Sequence, residues 1–228
     1  MCFGRGVSVA TWVAGMAGCG LLAWSGHLAV AIFLSWVVQM QLVEALLWAR
    51  QPCSSPAAAA ANLRVSAWGA WVNHLEPVAL WGALAAFGPR PLPWYSHAVA
   101  AAYAAYAVAV TAGLTARCTE PTRASAPHRH WRWNETLRGS YPFAPLYVFF
   151  LATVVVLLLT GLPLAEGATL AVLSVGSLGI SWALYGRRHA IGAVWCFAAA
   201  LSPWLLLLLW RKRPGIGRRP RARTSSPP

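Results

Sequence analysis

The sequence predicts an all-α fold: a polytopic transmembrane helical bundle of about seven spans. Three observations carry this reading. Of 228 residues, 58% are hydrophobic and only 10% charged, whereas a soluble domain carries about 25% charged residues. The mean hydropathy is +0.55. Seven apolar segments follow one another along the chain, most near the ~20 residues that a helix needs to cross a ~30 Å hydrocarbon layer.

The segments are Val7–Trp24, Leu28–Trp48, Asn62–Phe87, Trp94–Ala116, Pro142–Leu162, Gly167–Tyr185 and Ile191–Trp210. Trp24, Trp48, Trp94, Tyr141, Tyr185 and Trp210 stand near segment ends, where interfacial aromatics belong. The first segment is the shortest. With Arg5 as a basic flank and Met16-Ala17-Gly18-Cys19 resembling a lipoprotein cleavage site, it could be a signal peptide. Six further spans favour a retained span. Residues 1–210 are read as the bundle. Residues 211–228 are read as a basic, Pro- and Ser-rich disordered tail that meets anionic lipid headgroups.

Composition excludes several chemistries. There is no aspartate, which removes aspartyl proteolysis and aspartyl-phosphate pumping. The single lysine, Lys212, lies beyond the last segment, so no retinal Schiff base can form inside the bundle. The net charge of +13 sits in loops and in the tail and is read as topology and headgroup contact, not as a nucleic-acid footprint. The loops favour an N-terminus inside. The Arg211-Lys212-Arg213 cluster favours the C-terminus inside, and an odd number of spans cannot satisfy both. If the loops are luminal, Asn134-Glu135-Thr136 becomes a glycosylation acceptor and Cys53 could pair with Cys118. Cys19 and Cys196 are read as buried small apolar residues.

The expected partner is the lipid bilayer. No cofactor and no metal is expected: His128 and His130 lack a third ligand at sensible spacing and read as part of a basic aromatic strip. Ser174, Ser177 and Ser181, with Gly176 and Gly179, read as small-residue packing surface.

The second and third spans hold the polar residues. Gln39, Gln41 and Glu44 precede Trp48 in one; Asn73, His74, Glu76 and Pro77 stand in the other. Polar groups inside a bilayer are costly and mark functional or packing sites. Gln41 and Glu44 share a face with Trp48 one turn on, and Asn73 shares a face with Glu76. His74 is turned ~200° from Glu76. Pro77 has no N–H, so the Asn73 carbonyl loses its helical partner and a polar notch opens. Glu44 and Glu76 differ by ~12 Å in depth at 1.5 Å per residue, too far to share a proton. Gln39 and Gln41 match Asn73 and His74 in depth, which predicts an interhelical hydrogen bond there.

The Gln39-Met40-Gln41-Leu42-Val43-Glu44…Trp48 run, the Asn73-His74-Leu75-Glu76-Pro77 run, the opening Met1-Cys2…Val7-Ser8 and the late Trp195-Cys196-Phe197 together resemble a family of small multi-span membrane proteins from large DNA viruses and protists. The resemblance implies a helical membrane protein in which Gln41, Glu44, Asn73, His74 and Pro77 matter. It implies no activity. Glu76 departs from a pattern that often has glutamine there.

The expected function is binding or transport of a small solute, ion or lipid at a midplane site built from Gln41, Glu44, Asn73, His74 and Glu76, with Gln39, Trp48 and Pro77 structural. A structural, partner-binding membrane protein is the alternative. A lipid-modifying intramembrane enzyme is the least favoured, because no nucleophile stands out.

Overall fold

The computed structural model describes residues 4–51, 55–113, 143–185 and 191–210, with four dipeptides between 120 and 140. Among the described residues, eight helices follow in order: α1 (Arg5–Trp24), α2 (Leu28–Trp48), α3 (Pro56–His74), α4 (Glu76–Phe87), α5 (Trp94–Ala112), α6 (Phe143–Gly161), α7 (Leu164–Tyr185) and α8 (Ile191–Leu209). Between α5 and α6 lie two antiparallel dipeptide pairs. β1 (Glu120–Pro121) pairs with β2 (Arg129–His130), and β3 (Glu135–Thr136) with β4 (Gly139–Ser140). Asn134 of the sequon, Cys53, Cys118, His128, the His130 side chain and the tail from residue 211 lie outside the described residues.

Helix α2 is the hub, packed against α1, α3, α4 and α8. Helix α6 joins α4, α5 and α7, and α8 joins α1, α2 and α7. The α1–α2 reversal needs only Ser25, Gly26 and His27. Gly26 sits at φ +90°, which only glycine adopts without strain. The helices pack closely where glycine removes the side chain. A Cβ on Gly15 would lie 2.8 Å from the Ala200 carbonyl oxygen, and one on Gly18 would lie 2.8 Å from Pro203. These two glycines of α1 make its contact with α2 and α8. Gly176 and Gly179 of α7 do not act this way: a Cβ on either meets nothing within 4 Å. Of the small-residue surface expected in the sixth segment, Ser181 is buried while the two glycines make no close approach; the close glycine contacts lie in α1.

The third segment is corrected. It starts earlier, at Pro56, capped by Ser55, whose Oγ accepts the Ala58 amide at 3.2 Å. It is then broken into two helices at Leu75, which has φ −92° and ψ 3°. Pro77 supplies the reason: it offers no N–H to the Asn73 carbonyl, and it stands in the first turn of the new helix, where proline is tolerated.

Among the described residues, three helices are long and apolar enough to cross a membrane: α1, α2 and, over Leu164–Leu184, α7. That is fewer than seven. Described parts of α4, α6 and α8 are apolar but shorter. The proline break shortens α4, while α3 carries Asn62, Arg64, Asn73 and His74.

Candidate functional site

The break at Leu75 divides the polar residues of one segment between two helices, Asn73 and His74 at the end of α3 and Glu76 at the start of α4. Those before it, at the end of α3, turn towards α5 and α6. Asn73 Nδ2 donates to Tyr147 Oη at 2.7 Å, and His74 Nδ1 shares a 2.8 Å hydrogen bond with Thr111 Oγ1. The backbone released by the break is also claimed. Tyr103 Oη donates to the His74 carbonyl at 2.8 Å, and Trp36 Nε1 donates to the Val72 carbonyl at 2.8 Å. These bonds hold the broken helix open at fixed points on α2, α5 and α6.

Glu76 begins α4 and faces a cavity whose wall includes Phe150 and Trp195, the rings against which Tyr147 packs. Glu76 is 5% exposed, and this cavity, of about 40 Å³, lies between α2, α4, α6, α7 and α8. The polar part of the lining is Glu76 with Ser174, Ser177 and Ser202; Phe150 and Trp195 belong to its apolar part. Trp195 Nε1 donates to Ser177 Oγ at 3.0 Å, and Ser177 Oγ donates to the Ser174 carbonyl at 3.1 Å. Among the described residues, no cation or hydrogen-bond donor meets the Glu76 carboxyl. Its place in the first turn of α4 sets it at the positive end of that helix.

The expected hydrogen bond between the α2 glutamines and Asn73 or His74 does not form. Gln39 faces α1 instead. Its Oε1 accepts from Trp12 Nε1 at 3.3 Å, and its Nε2 donates to the Ser35 carbonyl at 2.8 Å. Depth alone cannot set a partner, because each residue turns a helix by ~100°. Gln41 and Glu44 are fully buried, and neither lines the Glu76 cavity. Both amide atoms of Gln41 are without a partner among the described residues. Trp48 is half-buried at the end of α2. Cys196 of α8 is a buried free thiol. Among the described residues, no group of three or more His, Cys, Asp or Glu side chains gathers to hold a metal ion.

Sequence reasoning missed Ser174, Ser177 and Ser202 as lining, and Tyr103, Tyr147, Thr111 and Trp36 as the clamp on the break. The i,i+3 spacing of Ser174 and Ser177 was a usable signal for the first group. The clamp left none, since its partners are 29 to 74 residues away in sequence.

The Asn73–Tyr147 bond gives a direct test of the clamp. Asn73→Leu should cost about 0.6 kcal/mol and no more than about 1.7, the range of interhelical hydrogen bonds in membranes. Unfolding in mixed detergent, followed by tryptophan fluorescence, measures it; a double-mutant cycle with Tyr147→Phe should recover the same coupling.

Comparison with protein-family models, with curated proteins and with solved structures finds no match for this chain.

Proposed function

We propose that the chain is a multi-pass membrane protein, of the small multi-span family its motifs resemble, that binds a small solute or ion in the Glu76 cavity. One observation carries this reading: a nearly buried carboxyl without a partner among the described residues faces a cavity between five helices. A polar group desolvated this way is costly unless something compensates it. A binding site among crossing helices is also what a carrier requires, so transport belongs to the same reading. The basic tail is assigned to anionic headgroups.

The seven-crossing topology has independent support. If α3 and α4 together make one crossing, then His27, Glu166 and Trp210 fall at the same end of the bundle. His27 Nδ1 lies 3.7 Å from Glu166 Oε2, and the His27 and Trp210 rings are 4.9 Å apart. Large apolar side chains on the outside of α7, including Val172, Ile180, Trp182 and Leu184, are exposed and suit lipid contact. In a cysteine-free background, Ser25→Cys, Arg90→Cys and Pro163→Cys should label from one side of the membrane. Arg50→Cys and Gly113→Cys should label from the other.

Native mass spectrometry with elemental analysis tests the binding reading. Wild type purified in mild detergent should retain a small ligand that Glu76→Leu loses at unchanged fold. An empty wild type, equal in stability to the variant, would sink it. The second reading, a structural membrane protein whose polar groups only fix helix register, is favoured by the way Gln39, Asn73 and His74 bond to neighbouring helices. It expects Glu76→Leu to change assembly or stability and to release nothing.

A further inference from the structure

We infer that the Glu76 cavity takes one small monovalent cation, held by the Glu76 carboxylate and the hydroxyl oxygens of Ser174, Ser177 and Ser202. This rests on the binding reading above and names its ligand class.

Size comes first. A volume of about 40 Å³ holds two to three water-sized bodies at ~15 Å³ each. A small ion with one or two waters matches that volume. Charge comes second. Glu76 brings the one ionisable side chain of the lining. The dipole of α4 favours a carboxylate there, but by far less than the cost of an isolated buried charge. A monovalent cation makes the site neutral. A divalent cation would leave a positive charge uncompensated in a low-dielectric interior.

Ligand chemistry comes third. Carboxylate and hydroxyl oxygens are hard donors suited to hard cations, and the lining brings them from three helices: α4, α7 and α8. Ser177 is already oriented: it receives the Trp195 N–H and gives its own proton to the Ser174 carbonyl. Its remaining lone pair is therefore fixed in direction. Calcium takes six to eight oxygens, more than one carboxylate and three hydroxyls supply.

Purified protein in detergent is incubated with radioactive sodium, and bound counts are read by scintillation proximity; unlabelled lithium, potassium, ammonium and calcium compete. Saturable binding of one sodium per chain is expected, displaced by at least one other monovalent ion and not by calcium at equal concentration. Glu76→Gln should weaken binding by about tenfold or more, the loss of one charge-assisted contact. Ser177→Ala should weaken it less. Should Glu76→Gln lower the folded yield, labelling of wild-type Glu76 by a hydrophobic carbodiimide provides the second readout, and sodium should slow it where choline does not. No saturable binding, together with sodium-independent labelling, overturns the inference. If a neutral solute then co-purifies with wild type and is lost in Glu76→Leu, the binding reading survives and only the cation assignment falls. If nothing co-purifies either, both fall.

Discussion

Truncating Tyr103 to alanine is expected to lower the free energy of unfolding by about 3–5 kcal/mol, the range for removing a buried aromatic. Tyr103 is fully buried. Its ring stands edge-on to Phe149 and Phe150, with centroids 5.4 and 6.1 Å away. Its hydroxyl caps the His74 carbonyl at 2.8 Å, where α3 stops. Lipid tails are as apolar as leucine, so the transfer part of this cost shrinks in a bilayer; the lost dispersion contacts do not. Tyr103→Phe separates the two contributions. It keeps the ring and removes the donor, which should cost about 1–3 kcal/mol. Equilibrium unfolding of both variants in mixed detergent measures the difference. If the phenylalanine variant loses as much as the alanine variant, the hydrogen bond outweighs the packing and the cavity argument fails.

The second large effect comes from adding one methyl group. Gly15→Ala places a Cβ 2.8 Å from the Ala200 carbonyl oxygen and 2.8 and 2.9 Å from the Val38 methyls. The backbone oxygen cannot swing aside as a side-chain end could, so α1 must move off α2 or α8. Overpacking of this kind costs about 1–3 kcal/mol. Gly176→Ala is the matched control. Its Cβ would meet nothing within 4 Å, and alanine improves helix propensity by about 1 kcal/mol. The two substitutions should shift the unfolding midpoint in opposite directions. A neutral Gly15→Ala would mean that α1 is not held against α2 and α8 as described.

Helical character was legible from the sequence because apolar composition and segment length dominate it. The starts of α2, α5 and α8 stand where the pattern puts them, at Leu28, Trp94 and Ile191. Pro77 announced a disturbance, and the structure resolves it as a full break two residues earlier. What was not legible was direction. Asn73 and Glu76 share a face of an unbroken helix, yet the break puts them on different helices, Asn73 bonded to Tyr147 and Glu76 lining the cavity with Ser174 and Ser177. Helix periodicity holds only while the helix continues. Gln39 failed for a related reason: two residues at equal depth can lie on opposite sides of their helices. The serines of α7 were seen but taken as packing surface. Small polar residues look alike from sequence whether they meet a neighbour or a cavity.

In the proposed seven-crossing topology, the short length of α4 bears on how the chain is made. Twelve residues rise only ~18 Å, little more than half of a ~30 Å hydrocarbon layer. Left alone at a translocation channel, α4 is too short to stop there and partition sideways into lipid. It must be released together with α3, as a hinged hairpin-free pair, or wait for a neighbour already inserted. Helix α2, made just before and apolar over 21 residues, is the surface against which both halves can settle. Biogenesis of the central polar crossing would then depend on its predecessor, and truncations that remove α2 would leave α4 stranded during synthesis.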